Sequence, residues 1–84
     1  MHYIDRIQAQ GTRQRKIGVP KKFWREFPLD SWVRVELLDN EEIYFVDIIQ
    51  AQGKLQRRIP VAQKFWDVFH AGVIVKISVL RRGK

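Results

Sequence analysis

The chain contains no cysteine, which excludes disulfides, thiolate zinc sites and a cysteine nucleophile and leaves the redox compartment open. Its apolar runs are short and interrupted, and its N-terminus lacks the basic-then-apolar order of a secretory signal. An intracellular, cytoplasmic protein without a membrane span is therefore expected. Glycine is sparse, at five residues, and Gly11 and Gly53 each stand alone, so no phosphate-cradling loop of the P-loop or dinucleotide type is present. The two histidines, His2 and His70, have no recurring acid–base partner, and Asp47, Asp67 and His70 match no metal-ligand spacing. The reading is accordingly not an enzyme, with no catalytic residue, no metal and no cofactor. Acids are scarce too: nine Asp and Glu face sixteen Lys and Arg, a net charge of +7 that favours an anionic partner.

What the chain does have is an internal echo. Ile7-Gln-Ala-Gln-Gly-Thr-Arg-Gln-Arg-Lys-Ile17 returns as Ile49-Gln-Ala-Gln-Gly-Lys-Leu-Gln-Arg-Arg-Ile59, displaced by half the 84 residues. Without a gap, Asp5, Ile7, Gln8, Ala9, Gln10, Gly11, Gln14, Arg15, Ile17, Val19, Lys22, Phe23, Trp24, Phe27, Val33 and Leu38 each meet an identical residue in the second half. One ancestral unit is written twice, as repeats 1–42 and 43–84. Units this short cannot each bury a core, so residues 1–84 are read as one domain.

Along each repeat the reading is strand, strand, helix, strand. Tyr3 to Ala9 is rich in β-branched and aromatic residues, and Gln10-Gly11 turns it back into a strand over Arg13 to Val19. There Ile17 and Val19 share a face with Arg13 and Arg15, while Gln14, Lys16 and Gly18 take the other. Pro20 suits a first helical turn, and Lys21 to Phe27 predicts a short helix stopped by Pro28. Trp32 to Leu38 alternates as a half-buried strand with Arg34 and Glu36 outward. The second repeat begins at Ile43 without a linker, turns at Gln52-Gly53, and predicts a strand over Leu55 to Val61, a helix over Ala62 to Phe69 and a strand from Val73 to Leu80. Arg81 to Lys84 is expected to fray. Ile7, Ile17, Val19, Val33, Val35 and Leu37, with their second-repeat counterparts, form the expected core, plugged by Phe23, Phe27, Phe65 and Phe69.

Lys16-Ile-Gly-Val-Pro-Lys-Lys-Phe-Trp-Arg25, followed by Trp32-Val-Arg-Val-Glu-Leu-Leu-Asp-Asn-Glu-Glu-Ile43, resembles the AbrB/MazE-type DNA-binding module. The second repeat carries a weaker version, Arg58-Ile-Pro-Val-Ala-Gln-Lys-Phe-Trp66. In that family two chains build one barrel with a basic surface against DNA, and the resemblance maps the motif arginine onto Lys16 and Arg58. Arg15 and Arg57 stand where the family has glycine, and Ala62 replaces the motif proline. The double-psi barrel of the same cradle-loop class is also similar, and a count of six strands favours it. The expected fold is mostly β with two short helices: a six-stranded, pseudo-twofold, double-psi-like barrel built from two strand-strand-helix-strand repeats.

Arg13, Arg15, Lys16, Lys21, Lys22 and Arg25 follow one another without an acid, as do Lys54, Arg57, Arg58 and Lys64, whereas Glu36, Asp39, Glu41 and Glu42 gather near one turn. A solvated basic face gives the same runs, but a surface shaped for solubility alone mixes its signs. The nucleic-acid-binding residues are therefore read as Arg13, Arg15, Lys16, Lys21, Lys22, Lys54, Arg57, Arg58 and Lys64, with Gln14 and Gln56 suited to base edges. Trp24 and Trp66 are read first as packing, with stacking on unpaired bases as the alternative. The expected function is binding of duplex DNA through paired basic patches, as an AbrB-like transcription regulator or a small architectural chromatin factor associated with the nucleoid. RNA fits the same chemistry, and a protein- or peptide-interaction module is the alternative. The chain is expected to act as a monomeric pseudo-dimer, with further self-association left open.

Overall fold

A computed structural model describes residues 1–83. Strand β1 (His2–Arg6) leads into β2 (Gln8–Gln10), which turns at Gly11 into β3 (Gln14–Gly18). A 3-10 turn at Lys21–Phe23 precedes β4 (Trp32–Leu37). The second repeat supplies β5 (Asn40–Ile48), β6 (Gln50–Gln52), β7 (Gln56–Pro60), a 3-10 turn at Gln63–Phe65, and β8 (Ile74–Arg81). One sheet has the order β1-β8-β4-β5 and the other β2-β3-β7-β6. Every pairing is antiparallel, and the first strand of each repeat pairs with the last strand of the other, β1 with β8 and β5 with β4. The inner strands of the second sheet meet with Ile17 opposite Ile59. Neither repeat holds a sheet of its own.

This overturns the expected six-stranded barrel with two helices. Among the described residues eight strands form two four-stranded sheets rather than a closed barrel, and the helical content is the two three-residue 3-10 turns. The strand count rises because each long strand is cut at a buried isoleucine. The Ile7 N–H donates to Val73 O at 3.0 Å and its carbonyl accepts from Gly72 N at 2.7 Å; Ile49 does the same with Ser31 O (3.0 Å) and Asp30 N (2.9 Å). With these main-chain groups satisfied by a loop, the chain leaves one sheet and enters the other. The loop donors Asp30 and Gly72 sit at φ of 66° and 92°, a left-handed conformation that glycine and aspartate tolerate best.

The helices fail to form for a reason that Pro20 and Pro28 do not supply, because the second repeat has Ala62 and His70 there and makes the same turn. A helix of seven residues repays its nucleation poorly. Instead the Trp24 indole N–H donates to Val19 O at 2.8 Å and that of Trp66 to Val61 O at 2.9 Å. A single i to i+4 bond follows, from Phe27 N to Phe23 O and from Phe69 N to Phe65 O, each 2.9 Å. These contacts hold the chain tight against the strands.

Both sheets contribute to one core of Ile7, Ile17, Val19, Val33, Val35, Ile49, Ile59, Val61, Val75 and Ile77, all buried, with Leu37 and Val79 half-buried at its margin. Alternation alone omits Tyr3 and Phe45, which the structure buries at equivalent places. Tyr3 lies 4.9 Å from the Phe23 ring centroid and 4.9 Å from that of Phe27. Phe45 is placed alike, 5.1 Å from Phe65 and 4.9 Å from Phe69. Each repeat therefore pins its own 3-10 turn with an aromatic triad.

Burial, reinforced by Asp5, holds the Tyr3 phenol above its ordinary range, and the hydroxyl donates to Gly18 O at 2.8 Å. In the unfolded chain the phenol ionises near its ordinary value of about 10. The folded state keeps the proton longer, so the stability Tyr3 contributes is fully present below about pH 10 and is lost as pH rises further. Urea midpoints followed from pH 8 to pH 11 are expected to fall more steeply for the native chain than for Tyr3→Phe. Parallel curves would contradict the assignment.

The tail departs from the expected fraying. Arg81 belongs to β8, Arg82 Nη2 donates to Arg25 O at 2.8 Å and Gly83 N donates to Ser31 Oγ at 2.8 Å; Lys84 lies outside the described residues. A Cβ at Gly83 would overlap the Leu29 carbonyl oxygen and the backbone of Asp30 and Ser31. Gly83→Ala is therefore expected to release the tail at a cost of about 1–3 kcal/mol, two hydrogen bonds' worth, read as a lowered denaturation midpoint and faster amide exchange at residue 83. An unchanged midpoint would show that the tail adds nothing to stability.

Candidate nucleic-acid interface

The second sheet divides the predicted cations by simple alternation. Inward, on the face of Ile17 and Ile59, lie Arg15 and Arg57. The Arg15 guanidinium sits 4.3 Å from the Trp66 ring centroid, with Nη1 donating to Trp66 O (3.3 Å) and Phe69 O (3.4 Å). Arg57 does the same to the other repeat, 4.2 Å from the Trp24 centroid and 3.4 Å from Trp24 O. These contacts fasten each repeat's strand to its partner's 3-10 turn, and a guanidinium on one face of each indole favours the packing role for Trp24 and Trp66.

Outward lie Lys16 and Arg58, near the middle of the sheet. Lys16 faces Pro60 and Arg58 faces Gly18 across the β3–β7 pair, which makes the two cations diagonal neighbours, roughly 7–8 Å apart. Glutamines surround them. Gln8 is opposite Lys16, Gln10 opposite Gln14, Gln50 opposite Arg58 and Gln52 opposite Gln56. Lys16 Nζ donates to Gln52 Oε1 at 3.0 Å, and Arg58 Nη1 donates to Gln10 Oε1 at 3.2 Å and Gln14 Oε1 at 3.3 Å. Of this set only Gln14 and Gln56 stand out from sequence. The two Gln-x-Gln strands at period two were the signal for the others.

The remaining predicted cations spread around this face. Arg13 and Lys54 are exposed in the turns between β2 and β3 and between β6 and β7. Lys21 joins Lys16, Arg57 and Trp24 along a groove of about 330 Å³, and the equivalent groove of about 140 Å³ is lined by Arg13, Arg15, Arg58 and Trp66. Lys22 and Lys64 stand apart from the central pair. Their ammonium groups lie 5.2 Å from the ring centroids of Phe23 and Phe65, and Lys22 borders a different depression with His2 and Ile4.

The acids avoid the second sheet, whereas the first carries both signs, with Arg6, Arg34, Lys76 and Arg81 on its strands. Residues 8–18 and 50–60, which build the second sheet and its turns, hold Arg13, Arg15, Lys16, Lys54, Arg57 and Arg58 and no acid, while Asp5, Glu36, Glu41, Glu42 and Asp47 lie on strands of the first. Among the described residues the single ion pair, Arg34 Nε to Glu36 Oε1 at 3.9 Å, is also on the first sheet. None of the nine predicted cations is paired with a carboxylate there. No family model, no curated protein and no solved structure matches the chain.

Proposed function

We propose that the chain binds duplex DNA through the outer face of the second sheet, as an AbrB-like transcription regulator or a small architectural factor. The observation that carries this reading is the acid-free sheet: Lys16 and Arg58 are like-charged diagonal neighbours, and among the described residues neither is paired with a carboxylate, although Asp5 borders the groove beside Lys16. Like charges placed together on a strand pair destabilise it, and a polyanion relieves that repulsion. The shape agrees. The B-form major groove is about 12 Å wide, so the outward side chains of the inner strands β3 and β7 reach into it while β2 and β6 face the phosphate walls. Lys16 and Arg58 take the groove floor. Arg13, Lys21 and Lys54 supply phosphate contacts at the rim, Lys22 and Lys64 reach more distant phosphates, and Arg15 and Arg57 brace these strands through Trp66 and Trp24.

Affinity for a duplex measured from about 50 to 200 mM salt is expected to fall with a log–log slope of about −0.9 per phosphate neutralised, near −4.5 for the phosphate contacts of Arg13, Lys21, Lys22, Lys54 and Lys64. Arg13→Ala with Lys54→Ala should flatten that slope by about two while leaving the thermal midpoint in place, whereas Lys16→Ala with Arg58→Ala should weaken binding with the slope little changed. No retention of duplex DNA at 50 mM salt would refute the reading. Duplex RNA is expected to bind more weakly, since its major groove is too deep and narrow for these side chains.

A second reading has its own support on the opposite side of the molecule. Strands of the first sheet expose Ile4, Trp32, Tyr44, Val46, Ile74 and Leu80, between 40% and 56% accessible, a surface suited to a protein contact. A partner captured equally well after nuclease treatment, and lost on Val46→Lys but not on Lys16→Ala, would favour it.

A further inference from the structure

The outer face of the second sheet is nearly twofold symmetric, and it breaks that symmetry at its centre. Its glutamines match in pairs under the repeat, Gln8 with Gln50, Gln10 with Gln52 and Gln14 with Gln56. The cations do not match: Lys16 occupies the place that Arg58 holds in the other half. An ammonium is a compact point charge, whereas a guanidinium is a planar fork able to grip two acceptors at once.

The difference extends to the glutamines. Arg58 Nη1 holds the side-chain oxygens of both Gln10 and Gln14, while Lys16 holds that of Gln52 alone. An amide whose oxygen is engaged presents its NH₂ group as a fixed donor. One half of the face therefore offers a guanidinium with two oriented amide donors, and the other offers an ammonium with one. Arg58 Nε is buried and has no hydrogen-bond partner among the described residues, so this side chain is seated in the sheet rather than waving above it. The rim is uneven as well. Arg13 faces solvent where the second repeat has Leu55, and Lys21 where it has Gln63.

We propose, building on the duplex-binding reading above, that this face reads two different half-sites, so that the preferred duplex sequence is not a palindrome and the protein lies on it in one direction. The Arg58 half takes guanine, whose O6 and N7 acceptors meet the free Nη2 of the guanidinium and the flanking Gln10 and Gln14 amide donors. The Lys16 half discriminates less. Diagonal neighbours roughly 7–8 Å apart span about two base-pair steps, which places the two readouts on either side of a central step.

The test is selection of duplexes from a randomised pool by the full chain, with total retention measured before sequencing. The expected result is an enriched motif that differs from its own reverse complement and carries a guanine requirement in one half, where a wrong base weakens binding about tenfold or more. Lys16→Arg makes the two central cations alike and leaves only the rim uneven. It should enrich a symmetric motif and narrow the gap between symmetric and asymmetric duplexes, with circular dichroism confirming an unchanged fold. A palindrome enriched by the native chain would overturn the directional reading and leave duplex binding intact. Retention without any enrichment would overturn base readout and leave a phosphate-only contact. Failure to retain any duplex at low salt would remove the underlying reading itself.

Discussion

Residues 1–42 expressed alone are expected to yield no folded monomer, although they contain one complete copy of the repeat. In that fragment β1 loses its partner β8, and β4 loses both β5 and β8. Strand β3 loses β7 and keeps only the three pairs of its hairpin with β2. An isolated hairpin is marginal in water, and a chain of this length without disulfides or metal rarely folds alone. Circular dichroism with sedimentation at micromolar concentration should find either an unfolded chain or a homodimer in which a second copy replaces residues 43–84. Mixing the two halves should restore the sheet signal in a concentration-dependent way. A folded 42-residue monomer would refute the interlocked pairing of β1 with β8 and β5 with β4.

That interlocking was legible in outline. The 42-residue displacement announced two equivalent halves sharing a core, and alternation placed Ile17, Val33, Val35 and their counterparts correctly inside. The two four-stranded sheets that replace the expected barrel were not legible, because the breaks at Ile7 and Ile49 depend on hydrogen bonds to Val73, Gly72, Ser31 and Asp30, far away in sequence. Helical spacing of Phe23 and Phe27 is equally satisfied by a single tight turn pinned by Tyr3. At the candidate interface the sequence located the cations but not their roles. Arg15 and Lys16 are neighbours in the chain, and alternation sends one onto an indole in the partner repeat and the other to the solvent face. That the second sheet carries bases and no acid follows only once the strand order is known.

Phe27→Ala is expected to cost about 3–5 kcal/mol, the range for removing a fully buried phenylalanine from a core. Phe27 is completely inaccessible and packs edge-on to Tyr3 at 4.9 Å and to Phe23 at 6.2 Å, so the void has rigid rings on two sides and little means of collapse. For a domain this small, whose whole stability is on the order of 5–10 kcal/mol, the thermal midpoint should fall by roughly 20 °C. Phe69→Ala removes the equivalent ring, 4.9 Å from Phe45, and should cost a similar amount. The two triads are each local to one repeat while the strands pair between repeats, which makes the substitutions distant and largely additive. Together they would remove about 6–10 kcal/mol, and the double variant is expected to be unfolded at 25 °C by near-ultraviolet circular dichroism. A loss below about 1 kcal/mol for either single variant would mean that the 3-10 turns are held by the Trp24 and Trp66 indole bonds alone, and that the aromatic triads merely fill the space beneath them.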